Sequence, residues 1–441
     1  MCGKHELVSD FPGGLSGCGE DAGRGGMAGG PVEAAIDQRG ERLAEMAELR
    51  NDRVEEMLDA RARQRRMVLK AGGLFGALSA AAPFISKAFA SQAGMSADLG
   101  HGEPLFPLEG GREHVVASTP ETVRWGIFDT NLPNIVEVDS GDVVVLPNTW
   151  THYLNQMQPG VTVDELVALR LSKPGVGPHS IVGPIGVRGA EPGDMIELQW
   201  LKIRPYNWGA NFHNPGFVGT GALPDIFTDG HVRYFGLDRD EGTTDFGSGI
   251  TLPLKPFQGT CGVAPPDGFL GTPAGYAPGV VSSVPPGPHA GNLDCREGSP
   301  GSRLFIPVWK PTAKIFTGDS HALQGDGEVN LTAMETGMED VRFRVVLHKQ
   351  VGWTWPFHET PSAWIAHGTN RDLNLAFRTA LLNAIDFLQF RAGLSKNDAY
   401  ALCSLAVSFR VTQVVNGNKG VHAMIPKSIF NPQLRRSISV V

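Results

Sequence analysis

The chain has 441 residues, 41% of them hydrophobic and 19% charged, which suits one large domain or two ordinary ones and excludes wholesale disorder. A formal net charge of −8 leaves no basic surplus to neutralise phosphates, so a nucleic-acid partner is not expected. Gly (56) and Pro (32) favour turns and short strands over a helical bundle, and the five cysteines (Cys2, Cys18, Cys261, Cys295, Cys403) contain no C-x-x-C pair and read as free or buried thiols.

Residues 1–64 join a Gly-rich stretch without apolar periodicity to a segment dense in Ala, Glu and Arg, and read as a disordered or helical extension. Arg65-Arg66-Met67-Val68-Leu69-Lys70 then precedes an apolar run from Ala71 to Ser86, and Ala88-Phe89-Ala90 supplies a small–x–small cleavage pattern. The run is shorter than the roughly 20 apolar residues of a membrane span. Residues 65–90 are therefore expected to be a twin-arginine-type signal, handing a folded chain to that export machinery and placing it in the periplasm or outside the cell. Gln64 and Val68 depart from the usual form of such signals. Residues 91–441 would be the exported catalytic domain.

Along that domain, Val136–Val138 and Val143–Val145 flank Ser140-Gly141-Asp142 and predict a hairpin. Ile196–Leu201 alternates as a strand, and residues 205–300, punctuated by Pro and Gly, predict a loop-rich region that wraps a site. Leu373, Phe377, Leu381, Ala384 and Leu388 form one helical stripe ending at Gly393. Ser395-x-x-Asp398 opens a second helix to about Val407, and Val411–Val415 returns to strand. Because regular β–α alternation is missing, the expected fold is α+β, strand-dominant and mostly antiparallel.

Several familiar sites are absent: no H-E-x-x-H, P-loop, G-x-S-x-G or helix-opening G-x-G-x-x-G is present, and His358-Glu359 followed by His367 does not set two imidazoles on one helical face. Against that background, Asp319, His321, Asp326 and Glu328 crowd a short run spaced by Gly318, Gly325 and Gly327. Asp and His are natural ligands for zinc-like ions, and a free Glu can move a proton. Gly291-Asn292-Leu293-Asp294 and Gly177-Pro178-His179-Ser180 add further polar groups on Gly/Pro-rich loops.

Gly183-Pro184-Ile185, Gly189-Ala190-Glu191-Pro192-Gly193-Asp194, Gly291–Asp294, Gly318–Glu328, Glu359-Thr360-Pro361 and Val411–Val415 follow one another in an order that resembles the acetamidase/formamidase family over roughly residues 117–430. The resemblance implies hydrolysis of short carboxamides to acid and ammonia, a β-sandwich-like core with helices, a bound divalent metal (zinc, with calcium as a further candidate) and a homo-oligomer. Ser320 and Asn330-Leu331 depart from the family's pattern. On this reading Asp294, Asp319 and His321 are expected as metal ligands, with His179 a further candidate. Glu328 would be the acid/base and Asn292 an oxyanion donor, and Phe217 and Trp353 would be apolar walls. The same machinery acting on a larger C–N substrate, a non-catalytic periplasmic binding protein, and a thiol amidase built on Cys261 are the alternatives.

Overall fold

The structure, a computed structural model, describes residues 105–441. The extension over 1–64 and the signal over 65–90 lie outside the described residues. Two large sheets organise the rest. The first runs from edge to edge through Glu113–Val115, Val143–Pro147, Met338–His348, Met195–Pro205, Arg303–Pro307, Phe357–Glu359, Ala363–Asn370, Lys419–Pro426 and Ser408–Gln413. The second runs through Ile250–Pro253, Thr243–Gly247, His231–Asp238, Trp208–His213, Glu335–Thr336, Ile315–His321, Phe257–Gly262 and Ala290–Asn292. Ser180–Val187 joins this second sheet beside Ile315–His321 and carries Val123–Trp125 and Val136–Val138.

Alternation along the strands explains the layering. In Arg303–Pro307, Leu304 and Ile306 face a core shared with Val182, Ile185, Cys261 and Ile315 of the second sheet. Phe305 turns the other way and packs with Ala384, Phe387 and Leu388. Those residues belong to α1 (Leu373–Ala392), capped by Asp372 at its start and by Gly393, with φ +71°, at its end. A second helix, α2 (Lys396–Ala406), starts where Ser395 accepts the Asp398 N–H at 3.1 Å. The expected strand-dominant α+β sandwich with helices is therefore present, and its pairing is mostly antiparallel, with parallel contacts at Glu113–Val115/Val143–Val145 and Val136–Val138/Ile185–Val187.

Two local expectations need correction. Val136–Val138 and Val143–Pro147 are strands but not a hairpin: the first pairs with Ser180–Val187 and the second with Met338–His348 in the other sheet. The Ser140–Asp142 turn is thus a crossover between layers, its Gly141 N–H bonded to the Val345 carbonyl. Residues 205–300 hold more strand than their Pro and Gly content suggests, because the strands between Trp208 and Gly262 are short and joined by Gly-containing turns. Among the described residues no helix is long and apolar enough to cross a membrane.

Candidate active site

The strand Ile315–His321 changes partners along one edge: Gly318 pairs with Ile181, and Ser320 with Thr336. Asp319 falls at that switch and takes a left-handed φ of +60°. Asp294 and Glu328 are left-handed as well, at +49° and +46°. Such angles are disfavoured for residues with a Cβ, and they persist where surrounding structure over-determines them, as at functional sites. Here they turn three carboxylates inward.

Around them the side chains converge. His321 Nε2 lies 3.2 Å from both Asp319 Oδ1 and Glu335 Oε2, and its Nδ1 is 3.8 Å from Asp294 Oδ1. His152 Nε2 is 3.3 Å from Glu335 Oε2, and His179 Nε2 is 3.7 Å from Asp319 Oδ2. Neighbours hold this set in place. The Asn416 amide donates to Asp294 Oδ2, the Ala333 N–H donates to Glu335 Oε1, and Ser283 Oγ lies 2.7 Å from His179 Nδ1. Thr260 Oγ1 lies 2.5 Å from Asn292 Oδ1 and 3.1 Å from Asp319 Oδ2, two acceptors for its one hydrogen. Gly259 completes the cradle, because a Cβ there would sit 2.4 Å from Asp294 Oδ1 and 2.5 Å from His321 Cε1.

Burial sets the electrostatics. It raises the Asp294 carboxyl to about 7, helped by the charge of Asp319, and lifts Glu328 well above the carboxylate range, helped by Asp294. For Asp319 burial pulls upward too, but the imidazoles of His179 and His321 win and hold it low. Burial opposes charge on His321, yet Glu335 and Asp319 raise it well above the ordinary value; His179 is lowered to about 4, mainly by burial.

At this centre four buried atoms have no hydrogen-bond partner: Asp294 Oδ1, His321 Nδ1, Glu328 Oε2 and Glu335 Oε2. Asp294, His321 and Glu328 can bring ligand atoms within 4.8 Å of one another, as can His152, Asp319 and Glu335 beside them. Buried polar atoms without partners are costly unless something satisfies them, and carboxylates with an imidazole form a ligand set suited to a zinc-like divalent ion. The residues fit such an ion. All of them except His321 border a cavity of about 60 Å³ lined also by Tyr153, Phe212, Val284 and Leu331. That is room for about four water-sized groups.

Of the residues singled out in the sequence, Asp294, Asp319, His321, His179, Glu328 and Asn292 all meet here. Glu328 can bring a ligand atom together with those of Asp294 and His321, and Asp319 with those of His152 and Glu335. Asn292 commits an amide hydrogen to the Val284 carbonyl at 3.1 Å while its oxygen faces Thr260. Phe217 and Trp353 do not line the cavity. Phe217 is 77% exposed on the short turn Gly216–Val218, and Trp353 donates its indole N–H to the Val440 carbonyl and packs on Phe357. The Cys261 thiol is in the inter-sheet core, pushed up to about 12 by burial, and is a poor nucleophile there. His152, Glu335 and Asn416 carried no spacing signal in the sequence.

Fold and site together define a two-sheet protein with a buried carboxylate–imidazole centre opening on a small cavity. The profile of the Acetamidase/Formamidase family matches residues 116–274 and 276–432, and the chain belongs to that family, whose members hydrolyse amides. It is 27% identical to an acetamidase of Mycolicibacterium smegmatis over 294 residues, covering 51% of this chain and 72% of that protein. It is also 27% identical to a formamidase of Methylophilus methylotrophus over 319 residues, covering 58% and 78%. The crystal structure of an acetamidase from Bacillus halodurans superposes with a TM-score of 0.62 at 27% identity, covering 72% of this chain and 98% of that one.

Proposed function

We propose that this protein hydrolyses a short linear carboxamide, of the formamide or acetamide kind, with a divalent metal at the buried centre. The observation that carries the reading is the convergence of unpartnered Asp294 Oδ1, His321 Nδ1 and Glu328 Oε2 beside a cavity sized for a few heavy atoms. Asp294, His321 and Glu328 would hold the ion, with zinc best matched to two carboxylates and an imidazole and calcium a poorer fit to the nitrogen. When bound, it supplies Lewis acidity that polarises an amide carbonyl and acidifies water.

The remaining residues do the positioning and proton work. Hydrolysis forms a C–O bond from water, breaks the C–N bond, and leaves a carboxylate and ammonium. Glu335, fixed through its other oxygen by the Ala333 N–H, is placed to take a proton from the attacking water and pass it to the amide nitrogen. His152, 3.3 Å away, steadies that carboxylate, while Asp319 orients His321 and His179 around the cavity. Tyr153, Phe212 and Val284 supply apolar walls that leave little room for a long acyl chain.

The test is ammonia release from formamide, acetamide, butyramide and benzamide by purified protein. We expect kcat/KM to be greatest for the one- and two-carbon amides and at least about tenfold lower for benzamide, given the small cavity. Preference for the aromatic amide would overturn the size assignment, and no ammonia from any of them would overturn the reading itself.

A further inference from the structure

A second group of ligating side chains lies outside the centre just described. His358 stands in the strand Phe357–Glu359 and His367 in Ala363–Asn370, neighbours in the first sheet. Their register pairs His358 with Ile365, so His367 sits diagonally across, two residues on. Diagonal positions across antiparallel strands are within reach of long or aromatic side chains. His358 Nδ1 accordingly lies 2.8 Å from His367 Nε2, with the rings at 61°. Cys295 reaches the same place from the other layer, just beyond the strand Ala290–Asn292 of the second sheet. The three can set ligand atoms within 4.8 Å of one another, and all are buried, at 3%, 4% and 1% exposure for Cys295, His358 and His367.

Three features set this group apart from a chance polar cluster. It contains no carboxylate, so its chemistry is that of thiolate and imidazole, donors matched to zinc and similar borderline or soft ions. Burial holds the His358 imidazole down to about 3 and His367 well below its ordinary value, so both rings are neutral and able to ligate at physiological pH. A void of about 10 Å³, enough for a single small occupant, is bordered by Cys295 and His358, with His367 reaching the group through His358 Nδ1 at 2.8 Å rather than on the void's wall. Amide hydrolysis, as assigned above, uses none of these residues.

We propose that Cys295, His358 and His367 form a second metal site, which takes a zinc-like divalent ion and clamps the two sheets together. Burial, with the charge of Glu297, raises the Cys295 thiol well above its ordinary value, so its proton leaves to solvent only as an ion takes its place. The ion would then be bound by that sulfur and by one nitrogen of each imidazole. Because Asp294 immediately precedes Cys295, the clamp also fixes the backbone that presents the left-handed Asp294 to the cavity. The proposal stands whether or not the amidase reading holds.

Cobalt(II) titration of chelator-stripped, full-length protein tests it without reference to activity. Thiolate ligation produces a near-ultraviolet sulfur-to-cobalt charge-transfer band, which carboxylate–imidazole ligation does not. We expect the band in the wild type, its retention in Cys261→Ser and Glu328→Gln, and its loss in Cys295→Ser. His367→Gln, which keeps every cysteine, should weaken cobalt binding at this band at least about tenfold and serves if the serine variant does not fold. A cobalt-saturated wild type without the band overturns the proposal, as does a band that survives Cys295→Ser or is unchanged in His367→Gln.

Discussion

Gly259 offers a perturbation whose size can be worked from distances. It lies in Phe257–Gly262 with a backbone that alanine can adopt, so Gly259→Ala adds one methyl group and no backbone strain. That methyl would meet Asp294 Oδ1 at 2.4 Å, His321 Cε1 at 2.5 Å and Asp319 Oδ2 at 2.8 Å, whereas ordinary contact begins near 3.4 Å. Asp294 must therefore retreat by about 1 Å and Asp319 by somewhat more than half that. Displacements of about 1 Å at a reacting centre cost on the order of 10²-fold in rate, and overpacking of a tight site costs about 1–3 kcal/mol in stability. Steady-state ammonia release, read beside a thermal melt, should show kcat/KM down about 100-fold in a protein still folded at 25 °C. Gly236→Ala is the matched control: that strand glycine has nothing within 4 Å of the added atom, and activity should stay at the wild-type level. If Gly259→Ala keeps activity within about threefold, the geometry assigned to the centre is wrong.

Other outcomes follow from the same structure. Glu328→Gln removes one of the groups that would hold the ion and should lower zinc affinity and kcat/KM at limiting zinc by at least about tenfold, while leaving the melting temperature of the metal-free protein nearly unchanged, since burial and Asp294 already favour a neutral side chain there; full turnover at limiting zinc in this variant would remove Glu328 from the machinery. Glu197 is buried between His348, at 2.7 Å, and Gln199, at 2.7 Å, with Arg303 nearby; burial opposes its charge, yet these partners hold it below the ordinary range. A depressed carboxylate stabilises the fold above its unfolded value of about 4.3, and the benefit is lost as pH falls through the folded value. Glu197→Gln should therefore cost about 2 kcal/mol at pH 7 and flatten the fall of melting temperature below pH 4, so parallel wild-type and variant curves would contradict the assignment. Export through the twin-arginine route is also proposed: N-terminal sequencing of protein recovered from outside the cytoplasm should begin at Ser91, and a start within residues 1–64 would refute cleavage after Ala90.

How far the sequence could be read depended on whether the information was local. Asn292 and Asp294 on one Gly-flanked run, and Asp319, His321 and Glu328 on another, could be seen as polar groups poised to converge, because glycine marks where the chain turns sharply. The left-handed angles at Asp294, Asp319 and Glu328 confirm that the chain does turn there. His152 and Glu335 gave no such mark. His152 is delivered by a turn in which Tyr153 and Leu154 are also left-handed, and Glu335 by a two-residue strand; only tertiary pairing brings either to His321. The Ser140–Asp142 turn shows the same limit from the other side, since a turn signal cannot tell a hairpin from a step between sheets. His358 and His367 looked unrelated on a helical wheel and meet through strand register instead. Phe217 and Trp353 show the sequence only aromatic character, which does not distinguish a pocket wall from a surface or a packed C-terminus.

The most direct measurement is ammonia release from acetamide by protein stripped of metal with a chelator, then resupplied with zinc, with metal content and fold checked at each stage. Activity should fall to a few per cent or less of the starting value, about what loss of a Lewis acid removes, and return with zinc in the wild type but not in Asp294→Asn. Undiminished turnover by verified metal-free protein would contradict a metal-centred amidase at Asp294, His321 and Glu328.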